Sequence, residues 1–146
     1  MSEPTHSEIY TIANEIAGVV STVTHGSATL SAVVDFCPDI KLEKVKTRQI
    51  VVTPHSYDRP NSTRGYTERN AVFDIGICEK IALSEIDDRI MLVEKLMDAL
   101  ERKNLTTSKS LVVRVQADPI YDADWMRENR VFVSVVSVTL KVLSHD

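Results

Sequence analysis

Four acidic side chains lie close together in the C-terminal third of the sequence: Asp118, Asp122, Asp124 and Glu128. Carboxylate oxygens are the ligands that magnesium and calcium prefer, so this cluster is the first candidate for a metal site. Its spacing matches no calcium-loop pattern, however. A solvated acidic turn is therefore the favoured interpretation, and no metal ligand is predicted.

The sequence gives little support to a nucleophilic active site or to a phosphate-binding site. The histidines are scattered, and none stands at a catalytic spacing from a cysteine, serine or glutamate. His55 precedes Ser56 at the start of a polar loop, but neighbours on an extended chain point to opposite sides. The four glycines are isolated, so there is no phosphate-binding loop. Cys37 and Cys78 show no zinc spacing. The sequence thus predicts no catalytic residue and no cofactor.

One basic and aromatic patch stands out in the polar stretch after the second predicted strand. It comprises Tyr57, Arg59, Arg64, Tyr66 and Arg69. Tyrosine and arginine dominate the binding hot spots of protein interfaces, so the patch is a candidate docking loop. The same residue types contact phosphates and stack on bases in nucleic-acid complexes. A plain solvated loop is the third interpretation, and all three stay open.

The chain has 146 residues, which predicts a single domain over residues 1–146 with one core. A net charge of −4 gives no support to duplex nucleic-acid binding as the main role, since such domains usually carry a strong basic patch. We find no leader and no apolar run of about 18 residues, so no membrane association is expected. Synthesis in the cytoplasm is expected.

Hydrophobic periodicity divides the chain into two helices and five strands. The apolar spacing predicts helices over 7–25 and 84–104, and strands over 28–36, 48–53, 67–81, 111–117 and 130–143. The order is α-β-β-β-α-β-β. Strands joined by short links are usually antiparallel neighbours. We therefore predict an α+β fold, a mostly antiparallel sheet with two helices packed on one face.

The last strand is apolar on both faces in its first half. Val131, Val133 and Val135 point one way, and Phe132 and Val136 point the other. From there the alternation is clean, which is typical of a strand with one buried face. A strand that is apolar on both faces needs cover on both sides, and in a small domain a second subunit often supplies it. We predict a subunit interface at Val131, Phe132, Val133 and Val135.

Five segments together resemble a known class of protein. They are 36–43 (FCPDIKLE), 50–56 (IVVTPHS), 64–69 (RGYTER), 73–77 (FDIGI) and 130–135 (RVFVSV). This pattern resembles the small tail-completion or tail-terminator (neck) proteins of tailed bacteriophages and prophages. The likeness extends from about residue 36 to 143 and consists of strand patterns and turn residues without a chemical signature.

The resemblance implies a structural virion protein that is not an enzyme and uses no cofactor. Such proteins form a homomeric ring, typically a hexamer, that caps the tail tube and docks it to the head. The implied partners are further copies of the chain, the tail tube and the head-neck proteins, and DNA passes through the lumen without being read. The implied location is the tail or neck of the virion, after synthesis in the cytoplasm of a host bacterium.

Three alternatives remain at this stage. The first is a head-completion or stopper protein, another component of the phage neck. The second is a small enzyme or ligand-binding α+β domain that uses the His55 loop or the acidic turn. The third is a nucleic-acid adaptor that binds through Arg59 and Arg64.

Overall fold

A computed structural model of the protein describes residues 6–38, 45–59 and 66–145. In these ranges the α-helices are α1 (Glu8–Val20), α2 (Ile86–Leu100) and α3 (Ala123–Asn129), and a 3₁₀ turn, Leu83–Glu85, precedes α2. The strands are β1 (Thr24–His25), β2 (Ala28–Thr29), β3 (Val33–Val34), β4 (Gln49–Asp58), β5 (Tyr66–Lys80), β6 (Asn104–Leu105), β7 (Ser110–Gln116) and β8 (Val131–His145).

Six strands form one sheet in the order β3-β4-β5-β8-β7-β6, and β1 and β2 form a separate hairpin. Every neighbouring pair in the large sheet is antiparallel except β3 and β4, which are parallel. The predicted α+β class is confirmed, but the sheet is mixed. The prediction of two helices is also wrong, because residues 123–129 form a third helix. Asp122 begins it, accepting a hydrogen bond from the backbone N–H of Trp125 over 3.1 Å.

Several predicted boundaries differ from the observed ones. The strand predicted over 28–36 forms only β2 and β3, which belong to different sheets, and the second helix ends at Leu100, before β6. The first helix ends at Val20, and a hairpin replaces its last predicted turn, since Gly26 adopts a φ of +66° that glycine takes readily. β4 continues through Pro54 to Asp58, although proline was expected to end it. β3 pairs only with Val51 and Val52, so Pro54 lies on an edge stretch next to a bulge, where its missing N–H costs no ladder bond.

The core lies between the helices and one face of the sheet, here called the inner face. On β8 the alternation predicted from the sequence is confirmed, since Phe132, Val136, Val138, Leu140 and Val142 are all buried there. They share one apolar cluster with buried residues of β5, α1 and α2. Residues of the opposite parity form the outer face. No helix in the described ranges is long and apolar enough to cross a membrane.

Candidate functional site

The predicted docking loop contains one exposed arginine and one that is buried in an ion pair within the chain. Arg59 follows β4 and is exposed, with its guanidinium 5.2 Å from the centre of the Tyr57 ring. Arg69 lies on β5 and is buried, and it donates two hydrogen bonds to Glu8, of 2.7 and 2.8 Å. Arg64 and the side chain of Tyr66 lie outside the described part of the structure. The structure therefore commits Arg69 to α1 and leaves Arg59 at the surface.

Glu8 receives a third hydrogen bond, from the hydroxyl of Tyr57. Burial works to raise the pKa of Glu8, but the hydrogen bonds from Arg69 and Tyr57 outweigh it and hold the pKa below its ordinary value. Burial and the neighbouring carboxylate raise the pKa of Tyr57. These three groups join the start of α1 to β4 and β5, and their arrangement is that of a structural cluster rather than of an acid–base pair.

The four residues predicted as a subunit interface have different surroundings. Phe132 is fully buried on the inner face, where its ring stacks on Tyr121 with 5.5 Å between centroids. Val131 is also buried within the chain. Val133 is half-buried, and Val135 is 44% exposed. Only Val135 and part of Val133 are thus available to another molecule.

Val135 belongs to an apolar row across the outer face. The strand registers align Val33, Val51, Gly76 and Val135 on four adjacent strands, and we call these residues the outer row. Val33, at the β3 edge, is 55% exposed. A Cβ placed on Gly76 would approach only the Val51 carbonyl oxygen, at 4.0 Å, among the described residues. Val51 is itself buried, so the row exposes apolar side chains only at its two ends, Val33 and Val135, and these can contact another protein surface.

A polar cluster lies beside the outer row. His55 Nδ1 is 2.8 Å from Asp74 Oδ2, and Ser137 Oγ donates to Asp74 Oδ1 over 3.0 Å. In a catalytic triad the histidine stands between the serine and the carboxylate, so that it can take the serine proton. Here the carboxylate stands in the middle, and His55 does not reach Ser137. The cluster contains no activated nucleophile, and Ser56 has no part in it.

The acidic turn has a structural use. Asp122 caps α3, and Asp124 pairs with Arg127 within the same helix. Over residues 6–38, 45–59 and 66–145, no three His, Cys, Asp or Glu side chains come together as metal ligands would. The cluster at the start of α3 thus acts through helix capping and local pairing.

An ionic network near the start of α2 joins segments that are distant in the sequence. Glu79 accepts from Arg48 over 2.8 Å and from Arg89 over 2.9 Å. Arg89 also contacts Asp88, whose second partner is His25 at 2.8 Å. Only Glu85 and Arg89, four residues apart in the sequence, carry a local signal of such pairing. The other contacts join distant segments, so no spacing rule reveals them.

The network predicts a specific loss of stability in acid. Burial alone would raise the pKa of Glu79, but hydrogen bonds and charges of Arg89 and Arg48 hold it below its ordinary value of 4.5. Folding therefore favours the ionised form of Glu79. The stabilisation is complete above the pKa of Glu79 in the unfolded chain, and it is lost as the pH falls through the lower pKa of Glu79 in the folded protein. We expect the wild type to lose more stability from pH 6 to pH 3 than Glu79→Gln, measured by urea unfolding. Equal losses would contradict this.

A groove of about 490 Å³ runs between α2 and the β7 edge of the sheet. Its apolar lining comes from Met97, Val113 and Val115, and charged side chains surround it: Glu94, Asp98, Glu101, Arg102 and Arg114. Val113 is 52% exposed, because a bulge between Val112 and Arg114 takes it out of register with β8. The groove offers an apolar recess with charges of both signs and no group poised for catalysis.

Comparisons with known proteins give structural likenesses and no sequence match. The chain matches no protein-family model and no curated protein. A solved chain from the structure titled "Virion of native gene transfer agent (GTA) particle" aligns with a TM-score of 0.42 and 14% identity, over 90% of this chain and 84% of that one. At this TM-score and identity, the likeness by itself establishes neither a shared fold nor a shared function.

Proposed function

We propose that this chain is a structural virion protein of the tail-completion or tail-terminator kind. It forms a homo-oligomeric ring, expected to be a hexamer, that caps a phage tail tube and docks it to the head. The proposal joins the sequence resemblance over residues 36–143 to the surfaces described above. It assigns the chain binding surfaces and no catalytic residue.

The observation that carries the proposal is the outer row. The inner face of the sheet packs on α1 and α2, whereas the outer face leaves Val33 and Val135 exposed at 55% and 44%. These two exposed valines, at the two ends of the row, suit burial against another protein, because removing apolar surface from water favours association. In the ring, Val135 and part of Val133 contact the neighbouring subunit.

The end of β4 serves as the docking arm in this proposal. Arg59 is exposed at its end above the half-buried Tyr57, and Arg64 and Tyr66 are assigned to the same arm from their place in the sequence. Arg69 fixes the base of the arm through Glu8. The arm thus combines an anchored base with an arginine and a tyrosine, residue types that dominate protein-binding hot spots.

The native mass of the purified protein tests the proposal. We expect light scattering across a concentration series to give one discrete oligomer, most simply a hexamer. Val135→Asp places a charge in the proposed contact, so we expect it to shift the distribution to smaller species by at least about tenfold in dissociation constant, or about 1.4 kcal/mol. The wild type and the Val135→Asp variant must give matching circular dichroism spectra.

Leu83→Asp is the matched control, since Leu83 is 53% exposed and lies outside the sheet. It adds the same charge at a comparable exposure and is expected to keep the oligomer intact. A wild-type protein that stays monomeric at every concentration contradicts the ring. An oligomer that binds a portal or capsid protein in preference to tail tube supports the stopper alternative instead.

A further inference from the structure

We infer that Phe36 of one copy of this chain packs into the groove between α2 and β7 of a second copy, head to tail. The inference rests on the ring proposed above and specifies the contact that builds it. It uses two surfaces at opposite edges of one sheet, neither of which was identified from the sequence.

The protruding part of the contact is the turn after β3. Phe36 is 54% exposed, a high value for a phenylalanine. The turn is nevertheless anchored, because the Asp35 N–H donates to the Val52 carbonyl over 3.1 Å and the Cys37 N–H donates to Asp35 Oδ1 over 3.0 Å. The ring of Tyr10 supports Phe36 from one side, edge-on, with 6.0 Å between centroids. An aromatic side chain on an anchored turn loses little conformational entropy on binding, as interface anchors require.

The receiving part is the groove at the opposite edge. β6 pairs with Ser110 and Leu111 of β7, and the Val112 N–H donates to the Lys103 carbonyl over 2.9 Å. Among the described strands none covers the edge of β7 beyond Val112. The recess of about 490 Å³ lies along this uncovered stretch, with Met97, Val113 and Val115 as its apolar lining. Its volume is within the range of sites that enclose a small ligand, and its three apolar residues, of eight that line it, are the part that the Phe36 ring covers.

Two unpaired arginines at the groove can receive the carboxylate that accompanies Phe36. Asp35 immediately precedes Phe36, so a seated Phe36 brings a carboxylate to the rim of the groove. Arg102 and Arg114 lie at that rim beside the acidic Glu94, Asp98 and Glu101, and neither arginine has an ion-pair partner among the described residues. Complementary rim charges orient two proteins as they meet and select the correct partner.

A second copy is the occupant because the chain cannot fill its own groove. Phe36 follows β3 and the groove lies along β7, four strand spacings away in the sheet, or roughly 19 Å at the usual spacing. A contact between two different patches of identical subunits is heterologous, and it closes into a ring when its rotation divides a full turn. The pair of edges therefore supplies what the proposed ring requires.

A mixing experiment tests the contact. Phe36→Ala removes the protruding group, and Val113→Asp blocks the groove. The controls lie outside both surfaces: Leu83→Ala also truncates an exposed apolar side chain, and Met91→Asp also places a charge at an exposed apolar position. Leu83 and Met91 are 53% and 46% exposed. Each edge variant alone is expected to dissociate at least about tenfold more readily than the wild type. An equimolar mixture of the two is expected to form dimers and nothing larger, because each variant keeps one intact surface.

Thermal unfolding of each variant confirms that it is folded before its mass is measured. Asp35→Arg provides an independent test of the contact. It is expected to weaken association, and Arg114→Asp on the neighbouring copy is expected to restore it. A discrete oligomer that Phe36→Ala and Val113→Asp both leave unchanged overturns the contact and leaves the ring standing. The contact is also overturned if neither variant changes the oligomer but Val113→Asp abolishes its binding to tail tube, because a partner protein then fills the groove.

Other outcomes separate the contact from the ring. Assemblies that grow without limit with concentration, and that both edge variants abolish, support the edge contact and overturn the closed ring. Edge variants that stay monomeric when mixed overturn the contact, because a head-to-tail interface must survive in the mixture. A monomeric wild type at all concentrations overturns both proposals.

Discussion

Phe132→Ala is expected to lower the free energy of unfolding by about 3–5 kcal/mol, the range for removing a buried aromatic side chain. Phe132 is fully buried on the inner face of β8, and its ring stacks on Tyr121. Alanine would leave a cavity between the sheet and the segment that leads into α3. Urea unfolding followed by circular dichroism measures the loss.

Val135→Ala is the matched comparison, because Val135 lies three residues further along the same strand and is 44% exposed. We expect it to change stability by less than about 1 kcal/mol and to weaken self-association instead. The two variants thus separate residues that the sequence alone assigned to one interface. If Phe132→Ala leaves stability unchanged and disrupts the oligomer, Phe132 belongs to the subunit contact and the inner-face assignment fails.

Glu8→Gln is expected to destabilise the protein by about 1–3 kcal/mol. The substitution keeps the size of the side chain and removes the charge that balances the buried guanidinium of Arg69. It also weakens the hydrogen bond from Tyr57, which joins α1 to the end of β4. Thermal unfolding and urea unfolding at pH 7 both measure this effect.

Arg59→Met provides the contrast, since Arg59 is exposed and its only described contacts are with the Tyr57 ring and hydroxyl. It is expected to leave stability within about 0.5 kcal/mol of the wild type and to weaken docking to the tail or head. A loss of stability from Arg59→Met as large as that from Glu8→Gln would show that the whole patch is structural. The docking arm would then need to be placed elsewhere.

Much of the secondary structure follows from the periodicity of apolar residues. The alternation in β5 and β8 predicts which side chains are buried, because successive residues of a strand point to opposite faces. The stripes of α1 and α2 are equally informative, and both helices bury them against the sheet. These patterns carry the α+β class, since they depend only on residues close together in the chain.

The remaining features depend on contacts between distant segments. β3 is only two residues long and pairs in parallel with β4, which no local pattern indicates. β4 passes through Pro54 because that stretch is an edge, and a sequence does not show where an edge lies. The third helix is short and depends on its cap at Asp122 and the burial of Met126.

The candidate surfaces show the same division. By itself, the sequence determined the strand and helix periods, the apolar character of β8 and the presence of an arginine–tyrosine patch. Only the tertiary structure decided that Phe132 and Val131 are covered within the chain, that Arg69 pairs with Glu8 61 positions away, and that Phe36 remains exposed. The physical reason is that residue type sets the tendency of a side chain to be buried or paired, whereas exposure and pairing depend on which distant elements pack beside it.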